Sequence, residues 1–466
     1  MASNTWHYLE LLEIARRIHA QEISAVEVTR AQLDRIAGLD GQLKSYAAVM
    51  AEQALAAARQ ADTEISRGQI RGPLHGVPIA VKDLCWTQGV PTTGGMAIYR
   101  DFTPDRDSTV VKKLRAAGAV ILGKLQLTEG AYAEHHPTVT PPVNPWHKAH
   151  WSGVSSSGSG VATAAGLCYG SLGSDTGGSI RLPSAANGCT GLKPTWGRVS
   201  RNGVFELAAT LDHIGPITRS AADAGAMLGV IAGPDTHDPT AVQMEVPNYL
   251  AGMQRGIRGL RIGIDSRWNA AGVDDPTRQM MATVVKTIVD LGGDMREVTF
   301  PDPEQVTADS LVLCAVETAV AHENTYPARR TEYGPGLAGF IDSGRGVSGM
   351  DYQKLVLRRL AFRGRVDALF QHIDLLAIPT TGVASPTVAQ MATLGENPDL
   401  LSAVLRFTFP FNMTGSPTIT LPAGFSAQQT PLAFQFVARH FEEELLVRAG
   451  WTYQQTTDWH RQHPAL

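Results

Sequence analysis

The chain has 466 residues, of which 43% are hydrophobic and 18% charged, and its formal net charge is −4. This composition is typical of a folded globular protein, and the interspersed charges leave no basic stripe for nucleic acid. The four cysteines are far apart and have no metal-site or disulfide spacing, so we expect reduced thiols in a core. The N-terminus lacks a secretory pattern and no window reaches roughly 18 apolar residues, so we expect a cytoplasmic protein without a membrane segment.

The N-terminal part of the chain, about residues 1–70, has apolar side chains at helical spacing. The spacing is seen at Leu9, Leu12, Ile14 and Ile18, and again at Val26, Val28, Leu33 and Ile36. Ser24 and Glu27 have the separation of a capping box, in which each side chain bonds the other's backbone N–H. We therefore predict an N-terminal helical layer.

From residue 76 the pattern alternates between short apolar runs and a helical segment. The run GVPIAVKD ends in Lys82, the helix-like DSTVVKKLRAAG follows, and the run AVILGK again ends in a lysine. Alternation of this kind predicts a mixed or parallel sheet that is covered by helices.

Residues 131–152 are rich in proline and histidine, which predicts a long loop at the surface or at a pocket rim. The segment SSSGSG follows, and it has the composition of a flexible linker, but the small-residue helix VATAAGL comes directly after it. Farther along, Ser220 and Asp223 predict a helix start, and residues 260–264 and 373–380 resemble buried strands. TITLPAG and LAFQFVAR predict paired strands near the C-terminus.

Three chemical motifs have weak support. GSLGSDTGGS lacks the lysine of a phosphate-binding loop and the spacing of a dinucleotide fingerprint. Cys168 lies in a G-x-C-x-G pentapeptide that resembles a nucleophile elbow, but a glycine-ended helix with a buried thiol explains it better. Four histidines in the loop offer imidazoles for a metal ion, but no nearby carboxylate or thiol completes a recognisable ligand set. These are His135, His136, His147 and His150.

A serine preceded by two glycines is the stronger signal. Thr176, Gly177 and Gly178 can curl so that successive N–H groups point into one concavity beside the hydroxyl of Ser179. Such a loop would hold an oxyanion next to its nucleophile. Lys82 is a candidate base, because burial at a strand end can lower the pKa of a lysine from about 10.4 to roughly 7 to 8.

Four long segments together resemble the amidase signature family, whose serine hydrolases use a Ser-cisSer-Lys triad. They are GVPIAVKD (76–83), VSSSGSGVATAAG (154–166), GSDTGGSIRLPSAANGCTGLKPTWGRVS (173–200) and LDHIGPITRS (211–220). The likeness extends to residues 12–36 and 407–425. It implies one α/β domain over 1–466, with a central mixed sheet between helices in an α/β/α arrangement. The signature core would span about 76–220, and the C-terminal remainder would complete the same sheet.

The resemblance implies that Lys82 is the base, Ser179 the nucleophile and Ser155 the bridging cis-serine. Ser155 and Ser179 are 24 residues apart, as the family pattern requires. The chain departs from that pattern with Val154 before the bridging serine and a serine in a glycine position, so Ser156 remains an alternative.

The resemblance also implies an oxyanion hole built from the N–H groups of the loop and a brace beneath it. The oxyanion donors would be Thr176, Gly177 and Gly178, and the bracing residues Asp175 and Arg181. Side chains expected to line the substrate pocket are Tyr132, His135 and Trp151.

The expected function is amidohydrolysis of a carboxamide or aryl amide through an acyl-enzyme, without metal or cofactor. The expected partner is a small amide substrate, with neither nucleic acid nor membrane, and a homodimer is the candidate assembly. Two alternatives stay open: a glutaminase-like subunit of an amidotransferase complex, and a binding protein with a vestigial triad.

Overall fold

The computed structural model describes residues 5–466, and within them eleven strands form one sheet. The strands are β1 Tyr46–Val49, β2 Pro78–Lys82, β3 Val120–Leu125, β4 Gly170–Asp175, β5 Thr190–Lys193, β6 His213–Thr218, β7 Arg261–Ile264, β8 Asp294–Glu297, β9 Leu375–Pro379, β10 Thr418–Phe425 and β11 Pro431–Val437. Their order across the sheet is β1-β3-β2-β4-β6-β5-β10-β11-β9-β7-β8.

The sheet is mixed, which confirms the predicted fold class. β2 pairs in parallel with both β3 and β4, and β7 pairs in parallel with β8 and β9. The central pairs β4–β6, β5–β6, β5–β10 and β10–β11 are antiparallel. Every residue of β2, β3 and β4 is buried, as expected for strands covered on both faces.

Fifteen α-helices surround this sheet within residues 5–466. They are α1 Leu11–His19, α2 Ala25–Leu43, α3 Ala51–Ser66, α4 Thr109–Ala116, α5 Ser157–Ala164, α6 Arg181–Asn187, α7 Ala221–Ile231, α8 Asp275–Asp290, α9 Pro303–Ala321, α10 Pro335–Arg345, α11 Gly349–Leu369, α12 Val388–Met391, α13 Pro398–Leu405, α14 Phe409–Met413 and α15 Glu443–Thr456. Within residues 5–466, none of these helices combines the length and the hydrophobicity of a membrane-spanning segment.

Helices cover both faces of the sheet, as two neighbouring residues of β4 show. A Cβ atom at Gly170 would meet Met227 of α7, whereas the Ser171 hydroxyl donates to the carbonyl of Ser159 in α5. Because successive residues of a strand point to opposite faces, α5 and α7 lie on opposite sides. The central strands are therefore sandwiched between helices.

Most of the predicted elements are present near their expected positions. The capping box of Ser24 and Glu27 is confirmed at the start of α2, and residues 132–152 form the expected irregular loop. The linker interpretation of SSSGSG is wrong, because α5 begins at Ser157 and all of its residues are buried. The N-terminal layer contains α1, α2 and α3 but also the strand β1, which the pattern did not reveal; residues 1–4 lie outside the described range.

The N-terminal layer is joined to the core through a helix start. Both carboxylate oxygens of Asp223, in α7, accept hydrogen bonds from the N–H groups of Leu11 and Leu12 at 2.9 and 3.0 Å. The first N–H groups of a helix have no partner within the helix, so the Asp223 carboxylate supplies the acceptors that the first turn of α1 lacks. The partner lies more than 200 residues farther along the chain.

Candidate active site

Lys82 is the last residue of β2, and its side chain is completely buried. Its Nζ lies 2.7 Å from Ser155 Oγ, 2.9 Å from Ser156 Oγ and 2.8 Å from Ser174 Oγ. Within residues 5–466 no carboxylate forms an ion pair with this lysine. Three hydroxyl groups therefore surround an amine that has no counter-charge in direct contact.

The environment of Lys82 favours the neutral amine. Burial lowers the pKa of Lys82 to about 7, because the charged ammonium form loses its hydration. The neutral amine has two hydrogens to donate and one lone pair with which to accept, which matches three hydroxyl contacts. At neutral pH a substantial fraction of Lys82 can therefore accept a proton.

Ser155 and Ser156 differ in how their hydroxyl groups are used. The Ser156 hydroxyl donates to the carbonyl of Ser174 and accepts from the N–H of the same residue, both at 3.2 Å. Its proton is thus engaged away from Lys82. Among the described residues, Lys82 is the hydrogen-bond partner of the Ser155 hydroxyl. The peptide bond between Val154 and Ser155 is cis.

Ser179 lies in the tight loop between β4 and α6. It is partly exposed, whereas Gly178 and Ile180 on either side are buried. The loop needs a glycine at position 177, because a Cβ there would lie 1.6 Å from a ring carbon of Phe409. Gly178 has a φ of +139°, a backbone conformation that favours glycine. The glycines thus permit a sharp turn that leaves the Ser179 side chain reachable.

Asp175 fixes the inside of this loop. Its carboxylate accepts hydrogen bonds from the N–H groups of Gly178 at 2.9 Å and Ile180 at 3.0 Å, and it forms a fully buried ion pair with Arg181 at 2.8 Å. Burial alone would raise the pKa of Asp175, but the Arg181 guanidinium outweighs it and holds that pKa well below its usual range. The carboxylate therefore stays ionised beneath the loop.

The predicted oxyanion donors do not behave alike. The N–H group of Gly178 is already bonded to Asp175, so it is not free for a substrate. In the part of the chain that the structure describes, no hydrogen bond is formed by the N–H groups of Thr176, Gly177 or Ser179. The N–H groups that are available to a substrate oxygen in this loop are therefore those of Thr176, Gly177 and Ser179, and not that of Gly178.

The predicted pocket residues occupy three different environments. The ring of Tyr132 stacks on Phe340 with centroids 4.4 Å apart, and it is partly exposed. His135 Nε2 lies 3.1 Å from the hydroxyl of Ser157, and burial lowers the pKa of this imidazole to about 4. Trp151 packs in a small apolar cluster with residues of α6 and α13. Of these three residues, His135 is thus the one that contacts the segment Ser155–Ser157, which lies beside Lys82.

The Cys168 pentapeptide and the histidines of the loop have ordinary structural surroundings. Cys168 is fully buried, and burial raises the pKa of its thiol to about 11. The rings of His147 and His150 touch edge to face, whereas His136 bonds to Thr138. Among residues 5–466 no three His, Cys, Asp or Glu side chains are grouped so that they could hold a metal ion. All four cysteines are free and buried.

Two contacts at the candidate site are not indicated by any sequence motif. Ser174, the third hydroxyl on Lys82, lies at the penultimate position of β4, the strand that pairs in parallel with β2. Asn412 contacts the Asp175–Arg181 pair from α14, 237 residues beyond Asp175. No local pattern links these segments, so only the fold reveals the contact.

Comparison with known proteins identifies the family. A family model described as Amidase matches residues 27–447. The AmiD protein of Mycobacterium tuberculosis, which is named as a putative amidase, is 53% identical over 459 residues, covering 98% of this chain and 96% of that protein. A glutamyl-tRNA(Gln) amidotransferase component of Geobacter sp. is 36% identical, covering 97% of this chain and 98% of that protein.

Solved structures support the same assignment. The native peptide amidase of Stenotrophomonas maltophilia superimposes with a TM-score of 0.85 at 28% identity, covering 99% of each chain. This chain therefore combines the fold of these proteins with a buried lysine beside serine hydroxyls and a glycine-serine loop. This chain belongs to the amidase signature family of amide hydrolases.

Proposed function

We propose that the protein hydrolyses a carboxamide or aryl amide through an acyl-enzyme on Ser179. In the first step the Ser179 oxygen attacks the amide carbonyl carbon, and the carbonyl electron pair moves onto oxygen. The Ser179 proton passes to the Ser155 oxygen while the Ser155 proton passes to the neutral amine of Lys82. One proton is thus moved, in net terms, from nucleophile to base by two transfers, the second across the 2.7 Å contact of Ser155 with Lys82.

The same groups reverse their roles when the tetrahedral intermediate breaks down. The carbon–nitrogen bond breaks, and the departing nitrogen receives a proton from Ser155, which is refilled from the Lys82 ammonium. Water then attacks the acyl-enzyme with its proton taken along the same path to Lys82. When the bond between the acyl carbon and the Ser179 oxygen breaks, that proton returns through Ser155 to Ser179, and the acid is released. Lys82 returns to the neutral amine, so each turnover balances without an external acid.

The oxyanion is held by backbone N–H groups of the loop. We assign Thr176, Gly177 and Ser179 as donors, because their N–H groups are free of other partners within the described chain. The candidate pocket walls are His135, which contacts the Ser157 hydroxyl, and Tyr132, which stacks on Phe340. An aromatic and a neutral polar wall would suit a small uncharged amide.

The observation that carries this proposal is the contact of a buried, carboxylate-free Lys82 with the Ser155 hydroxyl at 2.7 Å. The test is labelling of the purified protein with a fluorophosphonate, followed by mapping of the modified peptide by mass spectrometry. We expect rapid labelling of Ser179 and none in Ser179→Ala. Labelling on Cys168, or unchanged amide turnover by Ser179→Ala, would contradict the assignment.

Action within an amidotransferase complex is the competing function, since relatives at 36% identity have that name. A panel of aliphatic amides, anilides, peptide amides and glutamine separates the two. The proposed amidase releases ammonia or amine as a purified single chain. A chain that is inactive alone, and active on glutamine only with a co-purifying partner protein, would support the competitor.

A further inference from the structure

Asn412 fits behind the loop that holds Ser179, and its side chain is 1% exposed. Its Nδ2 donates one hydrogen to a carboxylate oxygen of Asp175 at 2.9 Å and one to the backbone carbonyl of Asp175 at 3.1 Å. Its Oδ1 accepts from Arg181 at 2.5 Å. All the strong hydrogen-bonding groups of the amide are used, and these partners fix which end is oxygen and which is nitrogen.

The contact of Asn412 with the Asp175 carbonyl also determines where the N–H of Thr176 points, because both groups belong to the same peptide unit. In a planar trans peptide the C=O and the following N–H point in opposite directions. The Asp175 carbonyl points at Asn412, so the N–H of Thr176 points away from Asn412. That N–H has no partner within residues 5–466 and belongs to the loop that carries Ser179.

His213 supplies a second donor to the same carbonyl. Its Nδ1 lies 2.6 Å from the carbonyl of Leu211 and 3.1 Å from that of Asp175. Carbonyl oxygens only accept, so Nδ1 carries the proton, and Nε2 faces the amine of Lys193 at 3.2 Å. The shorter bond goes to Leu211, which makes His213 the weaker of the two supports for Asp175.

We propose that Asn412, assisted by His213, is a positioning residue that aims the Thr176 N–H at the oxyanion of the reaction. The inference rests on the proposed function, because it assigns the partner of that N–H to the tetrahedral intermediate. Removing a direct oxyanion donor costs about 10²- to 10³-fold in kcat. Loss of the group that orients a donor leaves the donor present, so we expect a smaller loss, about 10- to 100-fold.

A purely structural role for Asn412 makes a different prediction. Asn412 also contacts the buried Asp175–Arg181 pair, and its removal would lower the melting temperature in either case. In a structural role, the protein that remains folded would retain its kcat. In the positioning role, kcat falls while KM is nearly unchanged, since the oxyanion exists only in the transition state and the intermediate.

The experiment compares Asn412→Ser and Asn412→Ala with Asn269→Ser as a matched control. Asn269 is also a buried asparagine whose Nδ2 donates to a backbone carbonyl, that of Ala377 in β9. The probes are p-nitroacetanilide turnover, fluorophosphonate labelling rate and melting temperature. For the Asn412 variants we expect kcat and labelling rate to fall together by about 10- to 100-fold, because the phosphoryl oxygen of the label uses the same hole.

The control variant should lose melting temperature but keep kcat and labelling rate within about twofold. Folded Asn412 variants with kcat within twofold of the parent protein would overturn the inference. If Ser179→Ala is inactive in the same assay, that result leaves the proposed function intact. Activity in Ser179→Ala would instead reject the proposed function itself.

A second pair of variants covers the case in which neither Asn412 variant folds. His213→Asn places an amide N–H near the position of Nδ1, whereas His213→Gln places it near that of Nε2. The positioning role predicts a higher kcat for His213→Asn than for His213→Gln, by several-fold at similar KM. Equal kcat values for the two would overturn the inference.

Discussion

Lys82 and Lys124 are two buried lysines at the ends of neighbouring parallel strands, yet their surroundings differ. Lys124 Nζ lies 3.0 Å from a carboxylate oxygen of Asp83 and donates to the hydroxyl of Thr92 at 2.7 Å. Lys82 has three serine hydroxyls and no ion pair among the described residues. Both side chains are 0% exposed.

On the proposed mechanism, burial alone does not make a lysine a base. A buried ammonium is costly, and a carboxylate in contact offsets much of that cost while keeping the charge. Hydroxyl groups offset less, because they offer dipoles rather than a charge, so the proton leaves more easily and the pKa of Lys82 falls to about 7. Lys124 and Asp83 instead form a charged pair that ties β3 to the segment after β2.

The largest expected effect is the contrast between Lys82→Met and Lys124→Met. We expect Lys82→Met to lower kcat by about 10⁴-fold or more while the melting temperature is retained, since the base is lost and no buried charge is left unpaired. Lys124→Met should lower the free energy of unfolding by about 3 to 5 kcal/mol, because Asp83 then remains as an uncompensated buried charge. Amide turnover and urea unfolding measure the two effects.

Two outcomes would contradict the assignment of different roles to Lys82 and Lys124. A Lys82→Met variant that turns over amide normally, or a Lys124→Met variant that is as stable as the parent protein, would show that the contact pattern does not separate a base from a structural cation. Lys124→Met with Asp83→Asn is the matched control, since removing both charges should restore part of the stability.

A smaller effect is expected from the two serines beside Lys82. Ser155→Ala should lower kcat by about 10²- to 10³-fold, because its hydroxyl is free to pass a proton to the lysine. Ser156→Ala should lower kcat less, since the Ser156 proton is engaged by the Ser174 carbonyl. Steady-state kinetics of both variants at one pH are the measurement. A greater loss in Ser156→Ala would transfer the relay to that residue.

The smallest expected effect concerns pH. The reaction needs the neutral form of Lys82, so kcat/KM should rise as pH increases through about 7 and level off above it. Below that value the fraction of neutral amine falls tenfold per pH unit, and kcat/KM should fall with it. A kcat/KM that is independent of pH between about 5.5 and 9 would contradict the assignment of the base. Any residual activity of Lys82→Met should not show the rise of kcat/KM through about pH 7.

The strands and helices of the core could be predicted because their patterns are local. The apolar run ending in Lys82 became β2, and the paired run near the C-terminus became β10 and β11. The strand β1 was missed because Tyr46–Val49 is half exposed and is defined by its pairing with β3. A short edge strand has little sequence signal of its own, since its partner determines it.

The sequence motifs indicated candidate site residues but not the contacts that these residues form across the fold. The resemblance supplied Lys82, Ser155 and Ser179. It did not reveal that the Gly178 N–H bonds to Asp175, since that depends on how the loop turns. The contacts of Asn412 join segments more than 200 residues apart.

The carboxylate of Asp223 at the start of α1 has a consequence for how the molecule holds together. It is fully buried, and burial raises its pKa to about 6. If α1 detached, Asp223 would lose the N–H groups of Leu11 and Leu12 as partners. Detachment would therefore disturb α7, which packs on the strands β5 and β6, so fraying of the first helix is coupled to loosening of the core. A deletion that removed only the α1 segment would act as a core mutation.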